Sequence, residues 1–296
     1  MEYQLWKAIV SLLAALGKPR FDPREEFSDH DIVRVLYWAV IHDRPVCWAC
    51  QARHWPAWLR QRPLPCDSTM SRRLRSATVV ELLNQLDRRV LAPTETSLYW
   101  MIDGKPLPIG SGSKDRQAGY GRASGGKAKG YKLHVLVNPQ GQLADWRVAP
   151  MNVDERVMAA RLLKGAPEQV QGYVAADTNY DSNPLHAQCE QRPAGRLQLV
   201  APRRYGPGRG TGHKKQTAGR LRSKELLENP MPHFGKQLKR DRNQIERQFG
   251  QMVNWGGGLT CLPAWVRTHR RVRRWVQAKF VLTALKHQLP QRTYAT

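Results

Sequence analysis

A chain of 296 residues is long enough to bury a substantial core with a smaller accessory domain beside it, which excludes disorder over the whole length. Its 48 Lys and Arg against 24 Asp and Glu leave a formal net charge of +24; such an excess repels itself unless a polyanion neutralises it, so nucleic acid is the first partner to consider. A membrane anchor would need about 20 apolar residues, and none is present; the run from Ala8 to Leu16 is interrupted by Ser11 and lacks a cleavage-site pattern. Five scattered cysteines make no disulfide framework and suit a reducing compartment, so a cytoplasmic location is expected.

Residues 1–95 read as helices joined by Pro-rich turns, an N-terminal all-helical DNA-binding region. Ser28 with Asp31 has the spacing of a capping box, ahead of Ile32, Val33, Leu36, Tyr37 and Val40 at helical intervals. Thr78 with Glu81 is expected to open a second helix carrying Val79, Leu82, Leu83, Leu86 and Val90. Between them Asp67 to Arg75 is a short basic helix. Ser68 and Ser71 suit a phosphate, and Arg72, Arg73 and Arg75 suit base edges in a major groove. An ordinary solvated basic helix has the same composition. Cys47, Cys50, His54 and Cys66 fit no usual zinc spacing, and their aromatic neighbours favour helical packing.

From Ser97 the period changes. Leu98 to Ile102 is a continuous apolar run ending at Asp103-Gly104, which predicts a buried strand delivering an acid at its end. Lys132–Val137 and Leu143–Val148 are two further strands around the turn Asn138-Pro139-Gln140-Gly141. His134, between Leu133 and Val135, reads as a half-buried strand histidine in preference to a phosphate contact. Asp154 to Leu163 is helical, Tyr173–Ala176 is a strand ending at Asp177, Asn183–Gln191 is a helix, and Leu197–Ala201 is a fifth strand.

Residues 202–234 are rich in Gly, Lys and Arg and are expected to form a mobile basic loop. Arg203, Arg204, Lys214 and Lys215 within it are candidates for clamping a DNA backbone. Helices follow over Gly235–Val253 and Trp265–Leu289. The second carries Arg270 and Arg271 beside an apolar stripe, and both are further candidates for DNA contact. The catalytic domain is thereby expected over 96–290.

Three antiparallel strands, then helix, strand, helix, strand, loop and helix, is the order of a ribonuclease-H-like fold: an α/β mixed five-stranded sheet flanked by helices. In that order the first and fourth strands are neighbours, which sets Asp103 beside Asp177. Glu246 shares a helical face with Arg242, Phe249 and Val253, so packing of that face on the sheet would bring a third carboxylate to the pair. Clustered carboxylates repel and raise one another's pKa unless cations occupy them. Mg²⁺ or Mn²⁺, as a pair of ions, suits oxygen donors and phosphate chemistry. Each acid also has a plain reading. In it Asp103 begins a turn at Gly104, Asp177 caps a helix, and Glu246 pairs with Arg242. Asp181 is a rival for Asp177, which is preferred because it directly ends an apolar strand.

The segments Ile102-Asp103-Gly104, Ala176 to Asn183 and Arg242 to Phe249 resemble the three acidic motifs of bacterial insertion-sequence transposases of the DDE class. Gly130 to His134, Leu262 to Arg267 and Ser68 to Arg75 are also similar to that family, and the resemblance spans about residues 28 to 285. It implies that Asp103, Asp177 and Glu246 are catalytic metal ligands and that Arg242 supports the third acid. It further implies a nucleoid-associated homo-oligomer acting on double-stranded DNA, both inverted-repeat ends and target, for transposition and recombination. Lys239 and Val253 stand where some relatives have tyrosine and lysine, which leaves the branch, and hairpin intermediates, open. The alternative is a catalytically silent, sequence-specific DNA-binding protein derived from such an enzyme.

Overall fold

The computed structural model describes residues 1–18, 24–59, 63–110, 112–192, 197–204, 216–228, 231–243, 245–247, 249, 259 and 261–289. They divide into two compact units. One contains the described residues of Met1–Leu91 with Leu259 and those from Arg270 onward; the other contains the described residues of Ala92–Gln251 and Thr260–His269.

The first unit is helical: α1 (Glu2–Ala15), α2 (Asp29–Ile41), the short α3 (Val46–Ala49), α4 (Asp67–Arg73), α5 (Ala77–Leu91) and α10 (His269–Gln288) from its second residue on. The capping box at α2 is formed, with Ser28 Oγ accepting from Asp31 N–H and Asp31 accepting from Ser28 N–H at 3.0 Å. This satisfies two helix-end donors at once. α5 starts one residue earlier than Thr78. Ser76, not Thr78, receives a backbone donor at 3.4 Å, from Val79, and Glu81 turns outward to Arg88. Near the cysteines, Cys50 Sγ donates to Val46 O and the His54 ring stacks on Trp48 at 4.4 Å, so these groups pack within the helices.

The second unit is built on a sheet of six strands, one more than expected: β1 (Ser97–Pro108), β2 (Gly119–Ala123), β3 (Gly126–Val137), β4 (Leu143–Pro150), β5 (Val170–Ala175) and β6 (Leu197–Val200). The main path is β4-β3-β1-β5-β6, with β3 antiparallel to both β1 and β4, β5 parallel to β1 and β6 parallel to β5. This is the ribonuclease-H-like order. The additional strand, β2, forms a hairpin with the start of β3. The helices are α6 (Glu155–Gly165), α7 (Asn183–Glu190), α8 (Ala218–Leu227) and α9 (His233–Arg242).

One face of the sheet buries Trp100, Ile102, Leu136 and Val174 against Leu162 of α6 and Leu185 of α7. Strand alternation turns Tyr99, Asp103 and Lys105 to the other face. There Tyr99 Oη donates to Leu238 O of α9 at 3.1 Å, and Lys105 Nζ lies 5.7 Å from the centre of the Phe249 ring.

Three boundaries differ from expectation. The basic loop placed over 202–234 is interrupted by α8, which Thr217 caps through Arg220 N–H and which Ser223 ties to Ala201 of the β6 end at 3.1 Å. The long C-terminal helix begins at His269, not Trp265. Thr268 holds φ at 68° while its N–H is bound by Asp115 at 2.7 Å, a conformation that interrupts a helix. The helix expected over Gly235–Val253 is broken at Asn243, the C-cap of α9; residues 245–247 and 249 are again helical, and Val253 lies outside the described residues.

Candidate active site

The register of two parallel strands assembles the site. Met101 on β1 is paired with Ala175 on β5, and Asp103 and Asp177 each follow two residues later, so the two acids leave adjacent strands side by side. Asp103 is not at a strand end as expected: β1 runs on to Pro108 because β3 keeps pairing with it as far as Gly130. The plain reading of Asp103 as the start of a turn is thereby removed. Its Oδ1 accepts from Gly104 N–H at 2.7 Å. Asp177 does cap the short 3-10 turn Thr178–Tyr180, accepting from Asn179 N–H at 2.8 Å and Asn179 Nδ2 at 3.3 Å.

Burial raises the Asp103 carboxyl to about 6; the Gly104 donor opposes this, the charge of Asp177 adds to it, Arg242 opposes it, and Glu155 adds again. The Asp177 carboxyl is also raised, by burial first and then by Glu155, against Asn179 and Arg242. The Tyr180 phenol is pushed well up by burial and by the same three acids, and its buried Oη has no hydrogen-bond partner among the described residues. His134 is fully buried, not half-buried. Burial, helped by Lys132, lowers its imidazole to about 3, so it is neutral at ordinary pH and cannot offer a charge to phosphate.

The donor set fits a hard divalent cation. Two carboxylates with raised affinity for protons, next to an orphaned phenol, are the groups a cation would stabilise. Glu246 is not brought into their group. Ile245 and Phe249, four apart, take the buried stripe of that helical segment and leave Glu246 on its exposed side. Among the described residues no set of three or more His, Cys, Asp or Glu side chains is arranged to hold a metal ion.

Sequence reasoning passed over Glu155. It opens α6 immediately after the Asp154 cap, is ion-paired to Lys132, and its charge acts on both aspartates. Its signal was positional: in this strand order the helix after the third strand starts near the edge where β1 and β5 present their acids. Asp181, the rival of Asp177, belongs elsewhere. It forms a buried double hydrogen bond with Arg220 of α8, 2.7 Å on each arm.

Candidate DNA-contacting residues divide by exposure. Ser68, Arg72 and Arg75 are exposed on or just after α4, Ser71 is half-buried, and Arg270 and Arg271 are exposed in the first turn of α10. Arg73 is a correction: only 4% exposed, it donates to Phe27 O at 2.7 Å and pairs with Glu25 and Asp29 at 2.7 and 2.6 Å. Those distant acids make it an internal strut with no guanidinium left for a base. Arg203 is bound through two nitrogens to Glu228, and Arg204 gives its backbone N–H to Asp181. Arg242 is half-buried and acts electrostatically on both aspartates. Lys214 and Lys215 lie outside the described residues.

The strand order defines the class: a domain of the ribonuclease-H-like type. The family follows from comparison, since residues 100–278 match the transposase DDE domain, and the chain belongs to that family. No curated protein matches. Among solved structures the chain is similar to a piggyBac transposase synaptic complex with hairpin DNA, at 8% identity and a TM-score of 0.48, covering 96% of this chain and 71% of that one. It is also similar to a simian T-cell lymphotropic virus intasome in complex with a PP2A regulatory subunit, B56 gamma, at 18% identity and a TM-score of 0.23, covering 75% and 70%. No helix among the described residues is long and apolar enough to cross a membrane.

Proposed function

We propose that this chain is a DNA transposase that binds the inverted-repeat ends of an insertion sequence and breaks and rejoins strands, using divalent metal held by Asp103, Asp177 and Glu246. The observation that carries the reading is the parallel register of β1 and β5, which sets two half-buried carboxylates side by side. Glu246 stands apart from the pair in this structure and is proposed as the third acid only because its flanking residues reach the site. Arg242, four residues before it, acts on both aspartates, and Phe249, three residues after it, lies against Lys105 of β1, the strand of Asp103.

Two Mg²⁺ or Mn²⁺ ions, when bound there, supply an activated water and stabilise the leaving 3′ oxygen of an in-line displacement at phosphorus. The chain supplies the frame. Gly104 N–H and Asn179 fix the two carboxylates in orientation, so no reorganisation is needed when substrate arrives. Arg242 favours their ionised forms and offers a cation to a DNA phosphate. Exposed arginines of α4 and α10 hold the duplex, as expected of a homo-oligomer working on nucleoid DNA.

The test is incubation of the full-length protein with duplexes carrying the sequences that border its own coding region. Nicks leaving a 3′-OH at those borders, formed in Mg²⁺ or Mn²⁺ and absent in EDTA, are expected. Salt-sensitive, sequence-selective binding without cleavage at any border sequence would leave only the silent DNA-binding protein.

A further inference from the structure

The helical unit carries a second charged feature, unrelated to the acids. The turn between α4 and α5 and the first half of α10 enclose a cleft of about 350 Å³ whose rim carries Arg75, Arg270, Arg273 and Arg274 and whose floor is Val80 and Leu83. The rim is held by neutral oxygens. Arg274 Nη2 donates to Leu74 O at 2.8 Å and Arg75 Nε to Ser71 O at 2.9 Å. Among the described residues no carboxylate is ion-paired with Arg75, Arg270 or Arg274.

Three guanidinium groups of the rim, those of Arg75, Arg270 and Arg274, gathered without a carboxylate to neutralise them, repel one another until an anion is shared between them. Burial, reinforced by Arg271, Arg270 and Arg75, lowers the Arg274 guanidinium to about 10, in keeping with that crowding. A planar guanidinium meets phosphate oxygens in pairs, and an apolar floor suits the uncharged ring that a phosphate carries in a DNA strand. The cleft volume is of the order of one nucleotide and at the lower end for organic ligands. Gln277, at the end of the cleft, is committed to Leu83 O, Asn84 and Asp87, so base reading is not built into it.

We propose that this cleft anchors one nucleotide of a DNA strand, with its phosphate between the rim arginines and its sugar on the Val80–Leu83 floor, without regard to base. The proposal rests on DNA being the substrate and deepens that reading: it turns a scattered basic surface into a single pocket with a shape.

Shape and charge are separated by two variants of the full-length protein. Arg75→Gln with Arg270→Gln removes two exposed charges, and Val80→Trp fills the floor at constant charge. Affinity for a labelled duplex is read by fluorescence anisotropy from 50 to 300 mM salt, with Arg53→Gln, an exposed arginine away from the cleft, as the charge control. The arginine pair is expected to bind roughly tenfold more weakly and to flatten the salt slope by about one counterion, while Val80→Trp also weakens binding and Arg53→Gln does not. Unchanged affinity in Val80→Trp, or a loss in the arginine pair no larger than in Arg53→Gln, would overturn the cleft. So would thermal stabilisation by inorganic phosphate that depends on the rim while DNA affinity does not. Wild-type protein that fails to bind DNA at all would instead remove the functional reading beneath it.

Discussion

Asp103→Ala and Asp177→Ala each lower metal-dependent strand cleavage by about three orders of magnitude or more, roughly 4 kcal/mol of lost transition-state stabilisation, while duplex affinity is kept. The separation follows from where the acids sit. Asp103 within β1 and Asp177 just past β5 come from neighbouring parallel strands, so on the proposed reading each supplies part of the oxygen frame for cation and phosphate, and neither substitution opens a cavity in the apolar core on the opposite face. Removing a negative charge near DNA phosphates does not weaken binding and can strengthen it. Steady-state nicking with anisotropy on the same preparations measures both quantities. Equal losses in binding and cleavage would mean that the variants act through folding or DNA contact and not through chemistry.

Asp181→Ala or Arg220→Ala destabilises the second unit by about 3–5 kcal/mol, because each leaves its partner as an uncompensated buried charge. The two residues are 6% and 5% exposed and meet through paired 2.7 Å hydrogen bonds, while Asp181 also accepts Arg204 N–H at 3.0 Å. Burial alone would raise the Asp181 carboxyl, but His186, Arg220 and Arg204 together hold it far below the usual range. A depressed folded-state pKa means that this stabilisation is fully present above about pH 4, the ordinary value for a free aspartate, and is lost only as pH falls below it. Urea melts at pH 7 and pH 4 are the check. Replacing both residues with apolar side chains of similar volume is expected to recover most of the loss. A single variant melting within error of wild type would show that the pair does not anchor α8.

The parts legible in the sequence were those where local pattern and tertiary role agree. The Ser28–Asp31 box, the apolar run into Asp103 and the apolar run into Asp177 each announce their own structure, and strand order alone then sets the aspartates together. β2 was not legible, because residues 119–130 hold glycines where a strand normally shows apolar alternation. The structure gives the reason. A Cβ on Gly130 would stand 2.4 Å from Leu107 O and one on Gly121 2.6 Å from Met151 O, while Gly125 and Gly126 turn the hairpin at φ of 88° and 124°. Close backbone approach replaced hydrophobic pattern.

Arg73 looked like its neighbours on α4 because its partners, Glu25 and Asp29, lie more than forty residues upstream. α8 was hidden by basic composition, since the acid that buries Arg220 comes from the loop before α7. Glu246 shows the limit of face arithmetic. The spacing to Arg242 and Phe249 is helical, but a break at Asn243 and the buried Ile245 turn the carboxylate outward.

Titration of the metal-free protein with Mn²⁺, followed by electron paramagnetic resonance of the free ion, asks most directly whether the aspartate pair is a metal site. At pH 7.5 saturable binding is predicted for the wild type and its loss for Asp103→Asn with Asp177→Asn. Wild-type affinity should fall as pH drops through about 6, where the raised Asp103 carboxyl takes a proton. Mn²⁺ held equally well by wild type and double variant, with no change across that pH range, would contradict the account.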